Sequence, residues 1–99
     1  MIVVQVSVRA KAENVVQLEQ TLGEVVAEAR QSSGCLSYGW YRSPDVEREF
    51  FIYAEFDSDE AFAHYRKGPV VKKIGERLIP LLERRPSFKH LSATILEQG

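Results

Sequence analysis

The sequence predicts an α+β domain in which four antiparallel strands carry helices on one face. Three observations carry this. Four segments alternate their side chains with a period of two. Two regions between them repeat apolar residues at spacings of three and four. The order along the chain is β-α-β-β-α-β, and 99 residues suffice for a single domain spanning 1–99.

Ile2–Arg9 alternates well: Ile2, Val4, Val6 and Val8 point one way, with Val3, Gln5, Ser7 and Arg9 opposite. A helix follows, starting near Glu13 or Asn14. Val15, Leu18, Leu22, Val25, Val26 and Ala29 form its apolar stripe. Gly23 interrupts that helix and weakens it by about 1 kcal/mol relative to alanine. Ser32, Ser33 and Gly34 end it, with Gly34 suited to a left-handed cap.

Cys35–Arg42 is the second strand, placing Leu36, Tyr38 and Trp40 on one face. Ser43, Pro44 and Asp45 start a turn, and Pro44 bars continuation as a central strand. Residues 49–57 form the third strand, with Phe50, Ile52, Ala54 and Phe56 in one row and Phe51, Tyr53, Glu55 and Asp57 in the other. The short connection makes these two strands a hairpin. Ser58 is the N-cap of a short helix running to about Arg66, and Asp59 and Glu60 suit its dipole. Gly68-Pro69 breaks it, and Pro69 can open a further helix with Val70, Ile74, Leu78, Leu81 and Leu82 on its apolar side. Pro80 ends that helix early, and residues 88–96 form the last strand, with Leu91, Ala93 and Ile95 on one side. This is the split βαβ pattern of ferredoxin-like folds.

Helices cover only one face of such a sheet. Alternation assigns Val3, Gln5, Ser7, Tyr53, Glu55, His90, Ser92 and Thr94 to the other face, together with the aromatics Phe51 and Phe88. A patch of that kind usually meets a partner, and two copies stacked sheet to sheet bury it symmetrically, so a homodimer through the sheet face is expected. On this assignment His90 belongs to the interface rather than to a site, and Glu55 bonds across the interface or pairs with Arg9.

Charge and composition exclude several classes. The net charge is -1, with no long run of one sign, so no nucleic-acid surface is expected. One cysteine, Cys35, excludes an internal disulfide and a cysteine metal cluster, and fits a cytoplasmic location. Cys35 reads as a small buried residue rather than a reactive thiol. The opening residues alternate and lack a basic leader, and no apolar stretch approaches the roughly 20 residues of a membrane span. There is no glycine-rich phosphate loop, no nucleophile elbow and no metal motif, so neither a metal nor another cofactor is expected.

Two motifs carry a family resemblance. Gly34-Cys35-Leu36-Ser37-Tyr38 resembles the Gly-Cys-x-x-Tyr entry to the second strand in the antibiotic-biosynthesis-monooxygenase family. The segment Phe56-Asp57-Ser58-Asp59-Glu60-Ala61-Phe62-Ala63-His64 resembles that family's Trp-x-Ser-x-Glu-Ala-Phe junction between third strand and second helix. The resemblance implies a dimeric α/β barrel. The activities it brings include oxidation of quinols or polyphenols with O2 and no cofactor, haem degradation, and isomerisation of small signalling sugars. The residues used by the haem-degrading branch fall here on Ser7 or Val8, Tyr65 and Gly75, which disfavours that chemistry.

The resemblance also implies a cavity between sheet and helices, with Tyr38, Trp40, Phe56, His64 and Tyr65 as candidates. His64 is the candidate base for a phenolic proton, because a histidine titrates near neutrality. Tyr65 is its candidate catalytic companion. Tyr38, Trp40 and Phe56 are candidates for binding a small-molecule substrate, the first by its hydroxyl and the other two by stacking. The expected function is a cofactor-independent monooxygenase of a quinol-like compound. Its alternatives are a non-catalytic dimeric binding module and an isomerase of a small phosphorylated sugar, for which Arg66, Lys67, Lys72 and Lys73 could supply the basic cluster.

Overall fold

The computed structural model describes all 99 residues. Strand β1 (Ile2–Arg9) leads through a 3-10 turn (Ala12–Asn14) into helix α1 (Val15–Ala29). Strands β2 (Cys35–Arg42) and β3 (Glu49–Phe56) form a hairpin, followed by α2 (Asp59–Lys67) and α3 (Pro69–Leu78). A second 3-10 turn (Ile79–Leu81), in which Pro80 stops the α-helix, precedes β4 (Ser87–Ser92). The strands form one antiparallel sheet in the order β2-β3-β1-β4. The α+β, ferredoxin-like βαββαβ fold expected from the sequence is therefore the fold adopted.

The apolar rows explain the layering. Val4 and Val8 of β1 and Phe50, Ile52, Ala54 and Phe56 of β3 meet Leu18, Leu22, Val25, Val26 and Ala29 of α1 in a single core. Leu78, Leu81 and Leu82 complete it at the end of α3. Each Val, Leu, Ile or Phe side chain among these, fully buried, contributes roughly 1.5–3 kcal/mol, so this stripe-on-sheet contact is what holds the layers together.

The last strand departs from expectation. Val4 lies opposite His90 and Val6 opposite Phe88, and directly opposed residues share a face. His90 and Phe88 therefore sit on the helix side, while Lys89 and Leu91 lie on the outer side opposite Gln5 and Val3. The strand also stops at Ser92 rather than running to residue 96, with one further bond to β1's end, where the Met1 carbonyl accepts from the Ala93 N–H at 2.8 Å. Without a neighbour, Leu96 is 95% exposed.

Two smaller corrections concern the entry to β2. A bulge between Cys35 and Ser37 leaves Leu36 without a partner on β3, so Leu36 is exposed and Cys35 takes the core-facing place opposite Phe56. Helix α1 ends at Ala29, five positions before Gly34; the positive φ of Gly34 (78°) serves the turn into β2 and not the helix cap. Its carbonyl accepts from Asp57 N–H at 2.9 Å, tying that turn to the end of β3. Arg9 pairs with Glu49 and Glu83 rather than with Glu55, whose carboxylate accepts from the Tyr53 hydroxyl at 2.5 Å. No helix is long and apolar enough to cross a membrane.

Candidate functional site

A cavity of about 260 Å³ opens between the sheet and the helices. β1 supplies Val4, Val6 and Val8, β3 supplies Ile52, and α3 presents Val71, Ile74, Gly75 and Leu78 along one face. The polar groups come from three other elements: Tyr38 from β2, Tyr65 and Arg66 from α2, and His90 from β4. Helix α2 can do this because Phe62, Tyr65 and Arg66 stand three and four positions apart, on one side of the helix. Ser58 fixes where that helix starts, its Oγ accepting from Ala61 N–H at 3.1 Å.

The hydroxyls of Tyr38 and Tyr65 share a hydrogen bond of 2.7 Å. Tyr38 is held from behind, since Arg30 Nε donates to its carbonyl at 2.8 Å. Burial pushes both phenols above their ordinary range, Tyr65 much the further, because the neighbouring Tyr38 adds to the effect there while the bond to Tyr65 offsets part of it at Tyr38. Both therefore remain neutral at physiological pH and serve as hydrogen-bonding groups rather than as bases. His90 behaves in the opposite sense. Burial, and then the positive charge of Arg66, push its imidazole below the ordinary 6.5. It is a neutral imidazole near pH 7, able to accept a proton.

Aromatic packing holds these groups in place. Phe62 meets the His90 ring edge-on at 4.8 Å between centroids, and the Arg66 guanidinium lies 5.6 Å above the same Phe62 ring. Tyr65 rests on Phe56 at 4.8 Å. Phe88 stands 5.0 Å from His90 on the exposed side.

Of the residues expected to form the site, the structure brings together Tyr38 and Tyr65. His64 is exposed on α2 and faces a separate crevice of about 190 Å³ with Ser32, Ser33, Gly68 and Pro69. Trp40 packs on Phe50 at 6.1 Å, and Phe56 is fully buried beneath Phe62 and Tyr65. Neither lines the cavity; Phe56 supports Phe62 and Tyr65, which do. Of the four basic residues considered for a phosphate site, only Arg66 reaches the cavity, and Lys73 is paired with Glu28 at 3.2 Å. His90 is the group that sequence reasoning missed. Its signal was the Phe88-x-His90 alternation, which competes with the Leu91, Ala93 and Ile95 row in the same segment. No group of three His, Cys, Asp or Glu side chains is placed to hold a metal ion.

Residues 1–77 match the model of the antibiotic biosynthesis monooxygenase family. The chain belongs to that family. The match spans β1 to α3 and stops short of β4, so His90 lies outside it. Solved structures agree on the fold of this family member. A Deinococcus radiodurans protein whose description carries the same family name superposes with a TM-score of 0.88 at 24% identity, over 100% of both chains. Rv0793 from Mycobacterium tuberculosis gives 0.86 at 21% identity over 98% of each chain. A Caulobacter crescentus protein described by the family name gives 0.86 at 21%, covering 95% of this chain and 90% of its own. No curated protein matches the sequence.

Proposed function

We propose that this antibiotic-biosynthesis-monooxygenase family member oxidises a small quinol-like or phenolic compound with O2 and without a cofactor. The observation that carries the reading is the cavity itself: apolar walls, a pair of neutral tyrosine hydroxyls and a neutral histidine. At about 260 Å³ it lies below the roughly 300–1,000 Å³ typical of drug-sized ligands. A compound of one or two rings suits it better than an extended polyketide. His90 takes the phenolic proton, and the Tyr38–Tyr65 pair donates a hydrogen bond to a substrate oxygen. The electron-rich anion then passes one electron to O2, and the resulting radical pair combines at a ring carbon. Loss of water completes the reaction. One oxygen atom stays on the ring, the other leaves as water, and all four electrons come from the substrate, so no external reductant is needed.

The test is oxygen uptake by the metal-free protein over a panel of hydroquinones and polyphenols, with autoxidation as baseline. Uptake above baseline that falls at least about 100-fold in His90→Ala, the usual scale of a lost general base, and survives in His64→Ala is the expected result. Uptake at baseline across the panel would shift the reading to a non-catalytic binding module.

We also propose that two copies pair through the outer sheet face. There Tyr41, Phe51 and Tyr53 line an open hollow of about 530 Å³ with Gln5, Ser7 and Lys89. Pairing would leave the cavity, on the other side of the sheet, within each subunit.

A further inference from the structure

The charges around the cavity are one-sided. No Asp or Glu lines it, and its only formal charge is Arg66. Several other cations of the fold are committed, Arg77 to Glu24, Lys73 to Glu28, Arg48 to Glu83, and Arg9 to Glu49 and Glu83, and those left unpaired do not line the cavity. Arg66 makes no ion pair and no hydrogen bond; its one specific contact is the face of Phe62. A guanidinium laid over a ring keeps its N–H fork free and partly ordered, the arrangement that receives a carboxylate with two parallel bonds. His90 approaches the same ring from its edge, so both groups flank Phe62. Arg66 and His90 are exposed whereas Tyr38 is buried, which puts the charge at the mouth and the phenol pair deeper.

We infer that the ligand of this cavity is an aromatic acid: its ring occupies the apolar space, and its carboxylate is held by Arg66 at the mouth, beside the hydroxyl that His90 addresses. This rests on the cavity being the ligand site proposed above. It adds a selectivity that the oxygenase reading does not contain, since an uncharged quinol makes no use of Arg66. Glutamine at position 66 keeps the length and some of the hydrogen bonding but removes the charge. Because Arg66 is exposed, the change leaves the core untouched.

The experiment is calorimetric titration of the full chain, under strict exclusion of O2, with two phenolic probes, 1-hydroxy-2-naphthoate and 1-naphthol, which differ only in the carboxylate. The acid is expected to bind about tenfold more tightly than the naphthol, the scale of a charge-assisted contact. Arg66→Gln should abolish that preference while leaving 1-naphthol within about twofold of its wild-type affinity. Equal affinities in the wild type, equal weakening of both probes in the variant, or binding of neither probe would overturn the inference. Without O2 neither probe can be oxidised, so the result is separable from the oxygenase reading. Carboxylate-selective binding with no oxygen uptake on any substrate would defeat that reading alone. Rapid uptake with neutral hydroquinones and no preference for acids would defeat this inference alone.

Discussion

Gly34 holds a φ of 78°, and a Cβ there would overlap the Ala61 side chain and lie 2.9 Å from Asp57 Oδ1. The left-handed backbone costs a non-glycine residue roughly 1–2 kcal/mol, and overpacking adds a further 1–3. Gly34→Ala should therefore destabilise the fold by about 3 kcal/mol. Gly23, within α1, has nothing within 4 Å of a would-be Cβ. Gly23→Ala should raise stability by about 0.5–1 kcal/mol, through helix propensity and a less flexible unfolded chain. Urea unfolding of both variants checks the opposite signs, with midpoints moving and slopes unchanged. The sequence separated the two glycines, Gly23 as a weak point in a helix and Gly34 as a left-handed position, but not the contact of Gly34 with Ala61 on α2, which only the tertiary fold supplies. The same holds for the histidines. His64 and His90 both read as polar positions on amphipathic elements, and the pairing of His90 with Val4 decides which reaches the cavity. His90 also yields a pH prediction. Its neutral form is the base, and its folded value lies below 6.5, so activity is present above that value and is lost as pH falls through the depressed one. The acid limb of kcat/KM should have its midpoint below 6.5, and His90→Gln should abolish it together with most of the rate. A limb centred above 6.5 would contradict the assignment.

Among the elements, α2 matters most to the site and has the weakest intrinsic support. It has nine residues, and Phe62 is its only buried side chain. Helices this short are marginal without capping and packing. The Ser58 cap and the acids at Asp59 and Glu60 fix its first turn, while Gly68 and Pro69 separate it from α3. Ser58→Ala should cost about 1 kcal/mol, and Ser58→Asp should recover most of it. Thermal unfolding checks this, with a fall of roughly 4–8 °C per kcal/mol for a domain of this size. These signals were legible because capping is written in adjacent residues. The last strand was not. The segment of residues 88–93 carries two competing rows, Phe88 and His90 against Leu91 and Ala93. A shift of one residue exchanges its faces, and only the register with β1 selects between them. The bulge at Leu36 is of the same kind: alternation places that side chain inward, and the pairing with β3 turns it out.

For the whole molecule, the decisive asymmetry is that helices cover one face of the sheet and leave the other open. On the open face Tyr41 is 59% exposed, while Phe51 and Leu91 are each 39% exposed. A chain of this length gains limited burial alone, so covering these side chains offers it more than it would offer a larger domain. A second copy is the partner proposed above for this face. A two-fold axis sets the same patch against itself, so the aromatics meet aromatics in the interior of the contact. Phe51 lies near the middle of this surface, on a strand with neighbours on both sides. Phe51→Glu places a carboxylate in each half of the interface, where burial of two like charges is strongly opposed, yet its side chain points away from the core. The variant should therefore fold but run as a single chain in light scattering, where the proposal expects the wild type at twice the chain mass. Its cavity, on the other face, should still bind aromatic probes. A wild type at single-chain mass would remove the dimer from the proposal, and a dimeric Phe51→Glu would move the contact to another surface.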